Sequence, residues 1–262
     1  DNQKKNYLPR IVDGSLTMAL ALEEGNRHSP FSISTKATKA GNDYKITGEK
    51  TFVIDGHCSN LIVVAARTGG LDDDTSGITL FLLNADTDGI EITKTSMVDS
   101  RNSANIKFND VAVSSSNLLG EENNGAAILG EVLDRAQIAI SAEMLGNASQ
   151  AFDVTLDYLK ERKQFGSVIG TFQALQHRAA EMYSELELTK SSVIAACNAV
   201  DENSNDLKRM ASLAKYKAGE TNHLVTNEAV QMHGGVGVTD EYDVGLYLKR
   251  ARVTEQIFGN SE

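Results

Sequence analysis

The chain has 262 residues, of which 41% are hydrophobic and 23% charged, so it is long enough to bury a large core in one or two domains. Its formal net charge is -11 and its isoelectric point is near 5.0. Without a Lys or Arg cluster, this acidity argues against nucleic acid or an anionic membrane as a partner. No apolar run is long enough to span a bilayer, and Cys58 and Cys197 fit free thiols in a reducing compartment. We therefore expect a cytoplasmic protein without membrane insertion. The chain opens on Asp1 rather than Met, and we expect it to be a fragment.

Residues 17–117 read as a β domain. Short runs rich in Val, Ile, Thr and Phe alternate there with breaker clusters such as Gly41-Asn42-Asp43 and Asp86-Thr87-Asp88-Gly89, a pattern typical of short strands joined by turns. The predicted strands are 44–46, 51–54, 61–65, 78–83, 90–92, 104–108 and 111–113. We predict an antiparallel β-barrel or sandwich.

After residue 117 the apolar residues recur at steps of three and four, which predicts amphipathic helices. The first runs from about 128 to the vicinity of Gly166, and the second from Phe172 to about 200, with Ile194 and Cys197 expected on its buried face. The third spans about 207–233, between a capping segment and two glycines, and the fourth about 242–257. Four helices with short connections predict an up-and-down bundle over 118–262, and an α+β protein overall.

A helical bundle can hold a metal, but this one lacks the ligands. A di-iron bundle needs two Glu-x-x-His pairs on different helices, and only Glu220 and His223 have that spacing. The run from Gly234 to Gly237 follows a helix rather than a strand, so it is not a dinucleotide-binding fingerprint. We predict no metal site.

The connection between the first two helices carries the most specific signal. It reads Arg162-Lys163-Gln164-Phe165-Gly166, and Phe172-Gln173 follow. Taken alone, Arg162 has an ordinary interpretation as a charged last turn that complements the helix dipole. Together with the run from Gln231 to Gly237, however, these residues resemble the acyl-CoA dehydrogenase family, flavoproteins that desaturate acyl-CoA thioesters. Residues 1–16 then resemble the tail of that family's N-terminal helical domain, most of which is absent.

The resemblance implies a cofactor site. In enzymes that this chain resembles, the Arg of the Arg-x-x-Phe-Gly motif pairs with the FAD pyrophosphate of a neighbouring subunit, a role that falls to Arg162 and that suits a guanidinium. Phe165 would lie against the cofactor, Gln173 would hydrogen-bond it, and the glycines after Gln231 would let the backbone approach its ADP half. The implied cofactor-binding residues are Arg162, Phe165, Phe172, Gln173, Gln231, Gly234, Gly235, Phe52 and Ile54. The resemblance also implies an acyl-CoA substrate, electron-transfer flavoprotein as electron acceptor, and a homo- or hetero-oligomer, either dimer or tetramer.

On the flavin side the chain departs from the family. Where the family has Thr-Glu-Pro-Gly-x-Gly-Ser-Asp, residues 22–29 keep only Glu23 and Gly25. Where it has Trp-x-Thr against the isoalloxazine, this chain has Phe52 and Ile54. Phe52 can still stack, but Ile54 has no hydroxyl to offer the flavin.

The catalytic base is the larger departure. The family abstracts the acyl α-proton with a Glu, while hydride leaves the β-carbon for flavin N5. Its two positions for that Glu correspond here to Phe258 and Ala136, and neither can accept a proton. Asp134 is turned about 200° from Ala136 on a helix; with Gln137 it falls where the family contacts CoA or the acyl chain.

Three hypotheses remain open. The chain is an acyl-CoA dehydrogenase with an unorthodox base, a catalytically silent subunit that binds FAD or acyl-CoA and completes an active partner, or an acyl-CoA-binding or structural protein without flavin. The retained Arg162, Gln173 and Gln231 argue against the third.

Overall fold

The computed structural model describes residues 2–72 and 74–260. The fold is α+β, as predicted. The chain divides into two compact units, Asp1–Gly130 and Glu131–Glu262. The domain limits placed at residues 16/17 and 117/118 from the sequence stay predictions.

The first unit begins with a helix and continues as a sheet. Helix α1 spans Asn2–Val12 and buries none of its residues. Within the described residues, eight strands form the sheet: β1 Met18–Ala21, β2 Lys36–Ala40, β3 Asp43–Ile54, β4 Leu61–Arg67, β5 Ile78–Asn84, β6 Ile90–Ser96, β7 Asn102–Val113 and β8 Leu118–Leu119. Their order is β6-β7-β3-β2-β4-β5-β8, and β1 lies beside β4.

Most neighbouring strands are antiparallel, but β1 pairs with β4 in parallel and β2 meets β4 in one parallel pair, Lys36 with Arg67. The core of the unit includes Ile46, Phe81, Ile106 and Phe108, all almost fully buried. Strand β5 is buried along nearly its whole length, which explains its unbroken apolar run.

Strand boundaries differ from the prediction at two long strands. Strand β3 joins the predicted strands 44–46 and 51–54, and β7 joins 104–108 and 111–113. Irregularities in the β3–β7 register between Ile46 and Gly48 and between Lys50 and Val53 let β3 bend without ending. Gly48 is required inside the strand because a Cβ there would lie 2.5 Å from Thr35 Oγ1. Strands β1, β2 and β8 were not predicted.

The second unit contains the four predicted helices, within a few residues of their expected ends. They are α2 Gly125–Glu161, which begins in the first unit, α3 Gln173–Asp201, α4 Leu207–His233 and α5 Val244–Gln256. A hairpin of β9 Lys163–Gln164 and β10 Ser167–Val168 joins α2 to α3. The main core of the unit includes Met182, Val225 and Met232.

One predicted helical face was wrong at its end. In the last part of α3 the buried residues include Val193 and Ala196, whereas Ile194 and Cys197 are exposed. Each buried residue precedes its predicted counterpart by one position, which is about 100° around a helix. The free thiol of Cys197 therefore does not pack in the core.

Candidate cofactor and substrate site

The hairpin after α2 is built on a strained turn. The Arg162 backbone N–H donates to the Tyr158 carbonyl at 2.9 Å, and the Arg162 carbonyl accepts from Ile169 N–H at 2.8 Å. Between the two short strands, Phe165 has φ 54° and Gly166 has φ 80°, as a two-residue type I′ turn requires. Glycine adopts this backbone freely, but a side chain such as that of Phe165 costs about 1–2 kcal/mol. The sequence indicated a turn here, not a hairpin.

This turn displays its side chains to solvent. Phe165 is 90% exposed, and its ring meets that of Phe172 edge to face, with centroids 6.3 Å apart. Arg162 and Gln173 are exposed as well, and neither side chain has a hydrogen-bond or ion-pair partner among the described residues. A strained and exposed aromatic beside an unpaired guanidinium does nothing for the stability of its own chain, so this arrangement indicates a ligand or a second subunit.

A second exposed segment follows the end of α4. Gln231 is exposed on the last helical turn, and Gly234 has φ 64°. A Cβ added to Gly234 or Gly235 would meet no atom within 4 Å, whereas one added to Gly237 would lie 2.7 Å from the Val230 carbonyl oxygen. Packing within the chain therefore requires Gly237. The open space over Gly235 fits the close approach of another molecule.

An aromatic cluster beneath connects these two segments. His233 is buried, its Nδ1 donates to the Ala229 carbonyl at 2.7 Å, and its ring stacks on Tyr158 at 4.2 Å and meets Tyr242 at 5.2 Å. Tyr158 Oη donates to the His233 carbonyl at 3.2 Å. Tyr158 therefore makes hydrogen bonds with the backbone of both Arg162 and His233, and so links the β9–β10 hairpin to the segment that begins at Gly234.

His233 is a functional candidate that sequence reasoning passed over after excluding it as a metal ligand. Burial lowers the pKa of His233, although its bond to Ala229 opposes the shift. The ring is therefore neutral near pH 7, and its buried Nε2 has no hydrogen-bond partner in the described part of the chain. No local motif pointed to this cluster, because its three rings come from separate helices and a loop.

On the flavin side, the loop that departs from the family is firmly held. Lys50 is fully buried, and its Nζ donates to Glu24 Oε1 at 2.7 Å and to the Leu22 carbonyl at 3.0 Å. Burial alone would raise the pKa of Glu24, but Lys50 and two backbone N–H groups outweigh it and lower that pKa. Thr51 N–H also donates to the Glu23 carbonyl at 2.7 Å. The loop is thereby fixed against β3, one residue before Phe52.

The same loop carries a carboxylate–imidazole pair that the sequence did not reveal. His28 Nδ1 lies 2.5 Å from Glu23 Oε1, and Glu23 Oε2 accepts from Ser29 N–H at 3.2 Å. Glu23, one of the two positions that match the family motif, thus orients His28. Beside it, Phe52 is partly buried at the bulge of β3, and so is Ile54.

Backbone strain is concentrated at the positions that the resemblance assigns. Eight non-glycine residues of the described chain have positive φ. Four of them are Asp or Asn, which adopt that region more readily than most residues, and one is Ser100. The other three are Phe52 (φ 50°), Phe165 (φ 54°) and Phe258 (φ 58°). All three lie where the family resemblance puts the flavin or the base. Strain of this kind persists where surrounding structure enforces it, and it clusters at functional sites.

The two positions of the family base lie in the second unit. Phe258 is partly buried, and its carbonyl accepts from Gln137 Nε2 at 3.0 Å. Ala136 is also partly buried, on α2. Burial raises the pKa of Asp134, against the opposing effects of Lys208 and Arg135. Gln137 is therefore in contact with the turn after α5, whereas no contact with that turn is found for Asp134.

Comparison with known proteins agrees with this arrangement. Residues 18–111 match the family model for the acyl-CoA dehydrogenase middle domain, and residues 123–262 match that for the acyl-CoA dehydrogenase C-terminal domain. The chain belongs to the acyl-CoA dehydrogenase family. No family model matches its first residues, so the assignment of residues 1–16 stays a prediction.

Three relatives illustrate the similarity. The chain is 33% identical over 256 residues to a mitochondrial short/branched chain specific acyl-CoA dehydrogenase of Bos taurus, covering 97% of this chain and 59% of that protein. It is 33% identical over 267 residues to the caffeyl-CoA reductase-Etf complex subunit CarC of Acetobacterium woodii, covering 100% and 70%. The crystal structure of acyl-CoA dehydrogenase from Geobacillus kaustophilus superposes with a TM-score of 0.94 at 32% identity, again covering 100% and 70%.

These comparisons confirm the predicted family and fold of an oxidoreductase. The chain spans between about three fifths and seven tenths of the length of these acyl-CoA dehydrogenase relatives. In the described residues no helix is long and apolar enough to cross a membrane. The cytoplasmic location stays a prediction.

Proposed function

We propose that this chain forms the FAD-binding and acyl-CoA-binding part of an acyl-CoA dehydrogenase that desaturates an acyl-CoA thioester between its α- and β-carbons. The observation that carries the proposal is the set of three strained phenylalanines, Phe52, Phe165 and Phe258, each at a family cofactor or base position. FAD, when bound, would supply the acceptor for the hydride that leaves the β-carbon.

The exposed residues fit FAD in their chemistry. The free guanidinium of Arg162 suits a diphosphate, which it can bind through two parallel hydrogen bonds. The exposed ring of Phe165 suits a flat aromatic system. Open space above Gly235 lets a ligand reach the backbone, and the amides of Gln231 and Gln173 can both donate and accept.

Exposed apolar residues on α3 and α4 support an oligomer. Five side chains that are about half exposed lie on these helices: Tyr183, Leu188, Ile194, Leu213 and Tyr216. Residues of this kind mark protein interfaces when they group together, and a homo- or hetero-oligomer, dimer or tetramer, would bring Arg162 to the FAD of a neighbouring protomer. An electron-transfer flavoprotein is the proposed electron acceptor, and the Acetobacterium relative is itself named as a subunit of a complex with Etf.

A second candidate function is a silent subunit that binds FAD or acyl-CoA and completes an active partner. The observation in its favour is that both family base positions hold non-ionisable side chains, Phe258 and Ala136. This candidate and the dehydrogenase share the cofactor site and differ only in the rate of proton removal.

The cofactor site is tested by FAD titration of the purified protein. Replacing Arg162 with Ala removes a charge-assisted contact of about 1.5–3 kcal/mol, so FAD affinity should fall by about one to two decades. Arg209→Ala is the matched control, since Arg209 is also an exposed arginine, pairs with Asp206 on the surface and has no proposed role in binding. FAD affinity equal in the two variants, with both proteins folded, would refute the assignment.

A further inference from the structure

The turn that follows α5 is held by donors from two other helices. Phe258 and Gly259 have φ 58° and 98°, so two successive residues are left-handed. Gln137 of α2 donates to the Phe258 carbonyl at 3.0 Å. Lys215 of α4 donates from Nζ to the Glu255 carbonyl at 3.0 Å and to the Gly259 carbonyl at 2.6 Å. Carbonyls at a helix end lack partners within the helix, and here side chains far away in sequence supply them.

A buried lysine is an energetically unfavourable donor for these carbonyl groups. Its side chain is only 6% exposed, and burial of an ammonium group is unfavourable unless the charge is well compensated. The nearest carboxylate, Glu255, is already bound by Arg252 at 3.2 Å. The strongest direct partners of the Lys215 ammonium are therefore the two backbone carbonyls of the turn.

The surroundings of Lys215 are polar. A cavity of about 300 Å³ opens beside it, lined also by Glu220 and His223 of α4 and by Glu255 and Asn260. Burial lowers the pKa of Lys215 to about 8, although Glu255 opposes the shift. An apolar side chain would avoid this cost but would leave the carbonyl groups unpaired.

We propose that Lys215 is a positioning residue, which fixes the turn 257–260 and thereby sets the place of Phe258 against the acyl group of the substrate. The proposal rests on the proposed function for the acyl group, but the hold on the turn follows from the hydrogen bonds alone. It also explains the left-handed backbone of Phe258, because both carbonyls around Gly259 are held from outside the turn.

The effect on pH dependence has a definite sign. The unfolded lysine has its usual pKa of about 10.4, whereas the folded pKa is about 8. Between these values the unfolded chain binds more protons, so this residue raises the free energy of unfolding as pH rises. In the same range the ammonium becomes an amine, and bonds with a charged donor are about twice as strong as neutral ones. The turn should therefore loosen while the whole protein becomes more stable.

Chymotrypsin cleavage of the full chain tests the hold on the turn. The enzyme cuts after Phe258 when the turn opens, and the exposed Phe165 is an internal reference. In the unaltered protein, the ratio of the cleavage rate after Phe258 to that after Phe165 should rise between pH 7 and 9. In Lys215→Met this ratio should be about 10- to 100-fold higher than in the unaltered protein at pH 7. In Lys215→Arg it should be low and independent of pH. Lys217→Met, a lysine of the same helix, is the control and should leave the ratio unchanged.

Calorimetric titration with butyryl-CoA, palmitoyl-CoA and free CoA gives the second readout. In Lys215→Met the affinity for acyl-CoA should fall more than that for CoA, and Lys215→Arg should restore it.

A cleavage ratio unaffected by Lys215→Met and by pH would overturn the proposal. If the Lys215→Met variant does not fold, the pH series of the unaltered protein decides alone. Loss of CoA and acyl-CoA affinity in equal proportion would also overturn it. Failure of the unaltered protein to bind any acyl-CoA would count against the proposed function, since the cleavage ratio needs no ligand.

Discussion

Replacing Phe165 with Asn should stabilise the isolated protein and weaken its hold on FAD. The ring is 90% exposed, so its burial contributes only about 0.3 kcal/mol, one tenth of the roughly 3 kcal/mol of a fully buried Phe. Its φ of 54° costs about 1–2 kcal/mol, and Asn-Gly is the preferred pair for a type I′ turn. The free energy of unfolding should therefore rise by about 1 kcal/mol. Loss of the aromatic contact, about 0.5–1.5 kcal/mol, should weaken FAD binding about two- to tenfold.

Urea unfolding of the FAD-free protein and FAD titration measure the two effects separately. Gly166→Ala is the matched control in the same turn. A Cβ there would meet no atom within 4 Å, but φ is 80°, so this variant should lose stability through backbone conformation alone. A Phe165→Asn protein less stable than the unaltered one would show that the ring supports its own fold, and the argument from strain would fail.

Two further predictions concern the segment after α4. Gly235→Ala should leave the free energy of unfolding almost unchanged, because no atom lies within 4 Å of its Cβ. Gly237→Ala should lower the free energy of unfolding, because its Cβ would lie 2.7 Å from the Val230 carbonyl oxygen. If the open space over Gly235 is a ligand site, Gly235→Ala should also lower FAD affinity, and an unchanged affinity would contradict that assignment. Burial lowers the pKa of His233 below its ordinary value, so the unfolded chain takes up the proton first and stability is lost as pH falls below about 6.5. Urea melts at pH 7.5 and 5.5 should show a smaller loss for His233→Gln, and an equal loss would contradict the neutral, buried imidazole.

Much of the fold was predictable because its signals are local. Apolar residues at steps of three and four predicted α2 to α5, and the glycines after His233 marked the end of α4. The merger of two predicted strands into β3 was not predictable, because it depends on the pairing with β7 and on the close packing of Gly48 against Thr35. The bulge at Phe52 depends on pairing with β7, which lies about fifty residues further along the chain.

The candidate site, like the fold, was predictable only where its signals are local in sequence. Arg162, Gln173 and Gln231 were predicted as cofactor-binding residues because they belong to contiguous motifs, and those roles stay predictions. The contacts between Tyr158 and His233, between Lys50 and Glu24, and between Lys215 and Gly259 were not predicted, because each pair is joined only by the fold. The strained backbone at Phe165 was not predictable from the sequence either, since Phe is not a turn-forming residue.

The central claim is that the chain keeps the cofactor and acyl-CoA site of its family while neither family position supplies a base. The direct measurement is anaerobic mixing of the full-length, FAD-loaded protein with a panel of acyl-CoAs, following the flavin absorbance. We expect acyl-CoA to bind but to bleach the flavin slowly. Phe258→Glu, or a partner subunit, should accelerate bleaching by about 10²–10⁴-fold, the usual contribution of a general base. Rapid bleaching by the unaltered protein alone would contradict this expectation and would show that another carboxylate or imidazole removes the proton.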